Sequence, residues 1–379
     1  MSLAPIVAVI GGGQLARMLA EPAAAMGIGL RLLTEAEGGS AAQVIPDHVI
    51  GDYTDLATLE RVIDGCSVVT FDHEHVPTEH LEALSERLPV RPGPDALVHA
   101  QDKAVMRARL GELGIPCPRS AVVTSAAAVT DFGFPCVLKT TRGGYDGNGV
   151  WFVEDEPGTA AAFASGGRIL AEELVRFRRE LSALVVRSPS GQIAAYPVVE
   201  STQNAGVCRE VVAPTPGLDP NLAVQAQQIA MRVAGELEVT GVLAVELFET
   251  TAGTILVNEL AMRPHNTGHW TQDGAVTSQF ENHLRAVLDL PLGAPDARAR
   301  WTVMVNILGG PTETGRLYDG YLHALARDPQ LRVHLYGKEL RPGRKVGHVN
   351  AYGENLADCL ERARHAAAWF AGELGERSD

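Results

Sequence analysis

Two carboxylates interrupt apolar stretches of this chain: Glu246 within VLAVELFE (242–249) and Glu259 within TILVNELAM (254–262). A carboxylate inside an apolar strand is costly unless it meets a cation. Suppose TTAG (250–253) forms a hairpin turn centred near residues 251 and 252. Glu246 then falls opposite Val257, with Glu259 its diagonal neighbour on the same face. With Asn258 they form a hard-oxygen set suited to Mg2+ bridging nucleotide phosphates. The plainer alternative is a glutamate buried against an arginine.

Other residues point to phosphate. RGGYDGNGVW (142–151) carries glycines at 143, 144, 147 and 149, which let a backbone approach a ligand closely and turn its N–H groups toward oxygens. It lacks the lysine and hydroxyl of a P-loop and lies between strands, so a flap over a triphosphate is one reading and a glycine-rich turn the other. Lys103 and Lys139 each read alone as surface lysines; together, ahead of the glycine-rich segment, they could neutralise phosphates as point charges. Arg263, His265, Asn266, His269 and Trp270 crowd an irregular segment better suited to binding an anion than zinc. EELVRFRRE (172–180) reads as a strand edge whose backbone meets a nucleobase, with Glu180 accepting from ribose hydroxyls, or as an exposed charged strand. Arg344 and Lys345, in the basic turn RPGRKVGH (341–348), offer a second anion site or a solvated loop. AVIGGGQLARMLA (8–20) contains G-x-G-x-x-A, with Glu35 near the end of a second strand, which suits a dinucleotide or another phosphate.

Elements that position these residues can be read from periodicity. Ile6–Ile10, Leu30–Leu33 and Val68–Phe71 look like strands of a parallel sheet buried on both faces. Leu15, Met18, Leu19, Ala23 and Met26 share a helical face, in a helix that Pro22 should bend. RPGPDA (91–96) marks a boundary, and a helix is expected over 101–113. Strands are expected at 136–140, 151–153, 169–173, 181–186, 193–199, 242–248 and 254–260, with a helix over 221–238. This order predicts an α/β N-terminal domain (1–98), a central antiparallel-rich α+β domain (99–297) and a C-terminal cap (298–379).

The 379 residues suffice for two or three domains. A net charge of −14 opposes nonspecific nucleic-acid binding. No apolar run is long enough for a membrane span and no signal peptide is read, so neither a membrane nor a nucleic acid is expected as partner. Five scattered cysteines without a C-x-x-C pair fit a reducing cytoplasm.

Taken together, GGGQLARML, TFDHEHVP (70–77), QDK (101–103), RGGYDGNG, the block from Asn258 to Leu288 and RPGRKVGHVN resemble the ATP-grasp superfamily. Within it, the chain is similar to the enzymes that carboxylate 5-aminoimidazole ribonucleotide in purine biosynthesis. The resemblance implies an ATP-grasp fold with a Rossmann-like pre-ATP-grasp domain and a small C-terminal domain. It implies a ligase using ATP, Mg2+ and bicarbonate, with a carboxyphosphate intermediate, and a homodimer. ATP would lie among Lys103, Lys139, Gly144, Tyr145, Asp146, Gly147, Asn148, Gly149, Val150, Glu172, Glu173, Leu174, Val175, Glu180, Gln203, Asn258 and Glu259, with Mg2+ on Glu246 and Glu259. The ribonucleotide would lie between Gly13, Gln14 and Leu15 on one side and Glu74, Tyr145, Asp146, Arg263, His265, Arg344 and Lys345 on the other. Tyr145, Asp146, Arg263 and Lys345 are the candidate catalytic residues, Asp146 as base. Asn148 and Met262 depart from the usual pattern, a basic residue and a proline. A sister ATP-grasp ligase, an NAD-dependent dehydrogenase and a noncatalytic nucleotide-binding protein are the rival readings.

Overall fold

The computed structural model describes residues 4–144, 147–204, 206–310 and 317–374. Tyr145 and Asp146 lie outside them.

The first elements alternate as their all-apolar strands require. They are β1 (Ile6–Ile10), α1 (Gln14–Met26), β2 (Gly29–Thr34), β3 (His48–Ile50), α2 (Leu56–Ile63), β4 (Val68–Phe71) and α3 (Thr78–Ser85). The strands form a parallel sheet in the order β3-β2-β1-β4. Helix α1 is assigned without a break through Pro22, and its apolar face is buried except at Met26. The helix expected over 101–113 is two: α4 (Pro94–Gln101) ends, Asp102 caps the next, and α5 (Lys103–Glu112) begins. Asp102 accepts from the N–H groups of Ala104 and Val105, satisfying donors that a helix start leaves open.

A small antiparallel sheet follows, from β5 (Ser120–Val123), α6 (Ala126–Phe132), β6 (Cys136–Thr140), β7 (Val150–Val153), α7 (Ala160–Ala164) and β8 (Ile169–Glu173), ordered β5-β8-β6-β7. The glycine-rich segment joins β6 to β7, as a strand-to-strand loop should.

The remaining strands build one large antiparallel sheet. Its elements are β9 (Phe177–Arg187), β10 (Ile193–Ala195), β11 (Val199–Asn204), β12 (Val207–Ala213), α8 (Pro220–Glu236), β13 (Gly241–Thr250), β14 (Ile255–Ala261), α9 (Thr271–Gly274), α10 (Gln279–Val287), β15 (Trp301–Leu308), α11 (Gly320–Arg327), β16 (Arg332–Leu335), β17 (Lys345–Gly353) and α12 (Leu356–Phe370). The order is β14-β13-β9-β11-β12-β15-β17-β16, with β10 on β9. One expectation is corrected here. The strand read over 193–199 is split into β10 and β11, which pair with different parts of β9. The C-terminal region begins with β15, which pairs with β12 and extends the same sheet.

The cores run across these units. One buried cluster joins Ala8, Phe71 and Leu97 to Val245, Val257 and Met262. Another packs Leu15 and Leu19 of α1 against Phe280 and Leu284 of α10. Met262 is buried in the first of these clusters. No helix among the described residues is long and apolar enough to cross a membrane.

Candidate active site

The β13–β14 hairpin brings the two carboxylates closer than expected. Glu246 pairs directly with Glu259, not with Val257. Two features cause the shift. The turn is one residue longer than assumed, with Glu249 opposite Ile255, and a β-bulge follows between Glu246 and Leu247. The bulge leaves Asn258 as the extra residue, so Asn258 and Glu259, though adjacent, are both only partly buried. Register also puts Glu246 opposite Ser182 and Phe248 opposite Glu180. One sheet face therefore presents Glu180, Glu246, Phe248 and Glu259 together. Gln203 stands on β11 two positions beyond Ser201, the partner of Glu180.

The cations come from the other side. Lys103, the first residue of α5, bonds Glu259 at 2.5 Å. Lys139, near the end of β6, reaches Asn258 Oδ1 at 3.2 Å and Glu172 at 2.7 Å. Sequence reasoning missed Arg107, which binds Glu172 Oε1 at 2.6 Å and the Asn258 carbonyl at 2.7 Å. Its signal was an arginine on the buried face of α5, between Met106 and Leu110. Burial opposes the charge on Glu172, yet Arg107 and Lys139 outweigh it and hold the carboxyl below its usual range. The Glu172 side chain is thus held between Arg107 and Lys139 and positions the lysine. Glu173 bonds the Arg119 N–H at 3.0 Å, whereas Leu174 is exposed and Val175 half-buried.

At the base of the glycine-rich hairpin, the Thr140 N–H donates to the Gly149 carbonyl at 2.9 Å. A Cβ on Gly149 would sit 2.5 Å from Thr140 Oγ1, and one on Gly144 2.8 Å from the Asn148 carbonyl oxygen. The Lys103 N–H donates to the Thr141 carbonyl at 2.8 Å, and Arg142 bonds Asp102 at 3.0 Å, tying the hairpin to the start of α5. Asn148 is exposed, and Gly147 and Val150 complete the described part of the segment. The proposed contacts of Tyr145 and Asp146 fall outside the described residues.

The carboxylates suit a divalent cation by their donor chemistry. Burial, then the nearby Glu259 and Glu180, push the Glu246 carboxyl up to about 8. Lys103 offsets the charge of Glu259, and both side chains keep some exposure, 22% for Glu246 and 37% for Glu259. Glu246, Glu259 and the Asn258 amide oxygen are the hard donors that Mg2+ prefers.

Beyond Glu246 lies the second half of the site. His265 Nε2 stands 3.4 Å from Glu246, and its Nδ1 is 2.8 Å from Thr267 Oγ1, which bonds Ser182 at 2.8 Å. Burial, with help from Arg263 and Lys345, depresses His265 to about 3, so the ring is neutral near pH 7. His269 points away into the core, where it stacks on Phe280 and His348. Trp270 is buried in the core as well. Arg263 bonds Glu74 at 2.7 Å, and Glu74 keeps a buried Oε1 without a hydrogen-bond partner among the described residues. Burial disfavours the Arg263 charge, but Glu74 more than offsets it.

Gln14, at the start of α1, accepts a hydrogen bond from Lys338. Lys338 was not foreseen; LYGKEL carries no pattern that marks it. Burial, Arg344 and Lys345 lower its affinity for a proton, while Asp72 acts in the opposite sense. Lys338 thus sets a positive charge at the start of α1, within electrostatic range of Asp72, Arg344 and Lys345. One expectation there is corrected. The Gly13 and Ala16 N–H groups are not open to a ligand phosphate: they donate to Asp72 at 2.7 and 2.9 Å.

A two-carboxylate sheet face, opposed lysines and a glycine hairpin above them define an ATP-grasp enzyme. Family models agree: a ribonucleotide synthetase preATP-grasp domain matches residues 5–101, an ATP-grasp domain 108–280 and a phosphoribosylaminoimidazole carboxylase C-terminal domain 302–362. The N5-carboxyaminoimidazole ribonucleotide synthase of Mycobacterium tuberculosis is 54% identical over 378 residues, covering 97% of this chain and 88% of that protein. A crystal structure of an ADP complex of N5-carboxyaminoimidazole ribonucleotide synthetase superposes with a TM-score of 0.89 at 34% identity, covering 99% of this chain and 100% of that one. The Aspergillus clavatus synthase, in complex with ADP and 5-aminoimidazole ribonucleotide, gives 0.88 at 29% identity, covering 98% and 99%. The chain belongs to the N5-carboxyaminoimidazole ribonucleotide synthase family.

Proposed function

We infer that the protein is a carbon–nitrogen ligase of purine biosynthesis. It uses ATP to join bicarbonate to the exocyclic amine of 5-aminoimidazole ribonucleotide, releasing ADP and phosphate. The observation that carries this reading is the direct pairing of Glu246 with Glu259 on a face that Lys103 and Lys139 reach, in a chain of this family.

ATP is assigned to the space between the small sheet and the face holding Glu180 and Glu259. Glu246, Glu259 and Asn258 would hold Mg2+, which would supply charge neutralisation for phosphoryl transfer. Lys139 and Arg263 stabilise charge as a bicarbonate oxygen takes the γ-phosphoryl group and ADP leaves. The resulting carboxyphosphate needs a site that excludes water. The amine nitrogen then bonds the carbon, phosphate departs, and the amine proton passes to a base. Glu74 Oε1, buried and without a hydrogen-bond partner among the described residues, suits a hydrogen bond from that amine. Asp146 is our candidate base; unaltered turnover in Asp146→Asn would remove it from the mechanism. The substrate phosphate is assigned to Gln14, Leu15, Lys338, Arg344 and Lys345.

We assign three units, 1–98, 99–297 and 298–379, to substrate phosphate, ATP and completion of the substrate site. A homodimer and a cytoplasmic setting follow from the family resemblance, and a monomer mass in sedimentation would dismiss the first.

The decisive assay is ADP release with Mg-ATP and bicarbonate, with and without 5-aminoimidazole ribonucleotide. Stimulation by the ribonucleotide, with labelled bicarbonate entering an acid-labile product, is the expected result. Stimulation only by glycinamide ribonucleotide with formate would move the chain to a sister ligase.

A further inference from the structure

In a dinucleotide-binding turn, glycines let the backbone approach a pyrophosphate, which sits on the helix N-terminus. Here the space those glycines leave is filled by the chain itself. A Cβ on Gly13 would lie 2.2 Å from Asp72 Oδ2, and one on Gly11 2.7 Å from the His73 ring and 2.9 Å from Asp72 Cβ. Both Asp72 oxygens are bonded, Oδ2 to the Gly13 N–H at 2.7 Å and Oδ1 to the Ala16 N–H at 2.9 Å. The carboxylate arrives from just past β4, 59 residues along the chain from Gly13. It is thus an anion built into the position a second phosphoryl group would take.

We propose that Asp72 is a specificity-determining residue that reserves this turn for a phosphate monoester and shuts out a diphosphate. The proposal rests on the assignment of the ribonucleotide phosphate to Gln14 and Leu15, and adds what that site rejects. Charge supports the same division. Lys338, Arg344 and Lys345 set three positive charges against the one negative charge of Asp72. The balance of two matches a monoester dianion and falls short of a diphosphate. Lys338 is also held to the turn directly, through Gln14.

The test is displacement of labelled 5-aminoimidazole ribonucleotide from the full-length protein, without Mg2+, by inorganic phosphate and by inorganic pyrophosphate. The wild type should favour phosphate. In Asp72→Ala the preference should move at least tenfold toward pyrophosphate. Asp72→Ser, neutral but still able to accept one N–H bond, should move it the same way and serves if the alanine variant does not fold. A merely structural cap would lower the melting temperature and weaken both anions together; a preference ratio within twofold of wild type overturns the proposal. If neither anion displaces the ribonucleotide from the wild type, the phosphate assignment itself fails, and the proposal with it.

Discussion

Glu172 shows how little a charged residue's type says about its partner. In sequence it sits beside Glu173 at the start of a charged run and reads as a ligand contact. In the fold its side chain is buried between Arg107 and Lys139. Removing one partner of a buried ion pair leaves a poorly compensated charge, at a cost of about 3–5 kcal/mol. Arg107→Ala should therefore lose stability on that scale in a denaturant titration; a change below about 1 kcal/mol would mean that Lys139 suffices to hold Glu172. Glu259 has the opposite character, half-open and bonded to Lys103. Glu259→Gln should lower Mg-ATP turnover by about 10²–10³-fold while leaving the fold intact, the scale for losing one electrostatic contact to a transition state. Near-normal ADP release would place the metal elsewhere. The unusual positions of Glu246 and Glu259 were visible in the sequence because charges rarely interrupt apolar strands. Arg107 and Lys338 were not singled out, since each matters through a partner far along the chain.

Two hairpins set the site, and both depend on a single residue more than on their strands. In β13–β14 the longer turn and the bulge at Asn258 together turn a diagonal carboxylate pair into a facing one. Alternation predicts which residues share a face, but it does not locate a bulge, because the inserted residue breaks the period of two. In the β6–β7 hairpin, Gly149 has a φ of +71° and packs against Thr140. Gly149→Ala combines left-handed strain with that clash and should raise the KM for ATP severalfold. Adding Thr140→Ala should restore part of the loss, since only the clash is relieved. No recovery in the double variant would show that backbone conformation alone explains the glycine.

Across the whole molecule, His283 of α10 joins the parallel sheet to the large one. Its Nδ1 accepts the Val242 N–H at 3.1 Å, so Nε2 carries the proton donated to Thr70 Oγ1 at 2.7 Å. Burial pushes this histidine down to about 3. It is neutral in both folded and unfolded chains above pH 6.5, but below that the unfolded chain takes up a proton that the folded one refuses. Stability is therefore complete above the ordinary histidine range and lost as pH falls toward 3, by about 2 kcal/mol at pH 5 for this one group. The buried His269 and His348 shift in the same direction. His283→Gln, which can donate and accept in the same sense, should flatten the fall in melting temperature between pH 7 and 5. An unchanged slope would assign the acid sensitivity to the other buried histidines.

Local physics by itself determined the alternating parallel strands of the N-terminal region, the glycine hairpin between two strands, and the two carboxylates that interrupt apolar strands. Each follows from neighbours within a few residues: apolar runs, glycine conformations and the cost of a charge in an apolar strand. Tertiary structure alone decided what those groups face. It set Glu246 against Glu259, Glu172 against Arg107 and Lys139, and β15 against β12. It also placed Asp72 across the glycine turn, so that a sequence able to greet a dinucleotide is closed by a carboxylate from another strand. Contacts between residues distant in sequence depend on register, bulges and packing, which no short window of the chain contains.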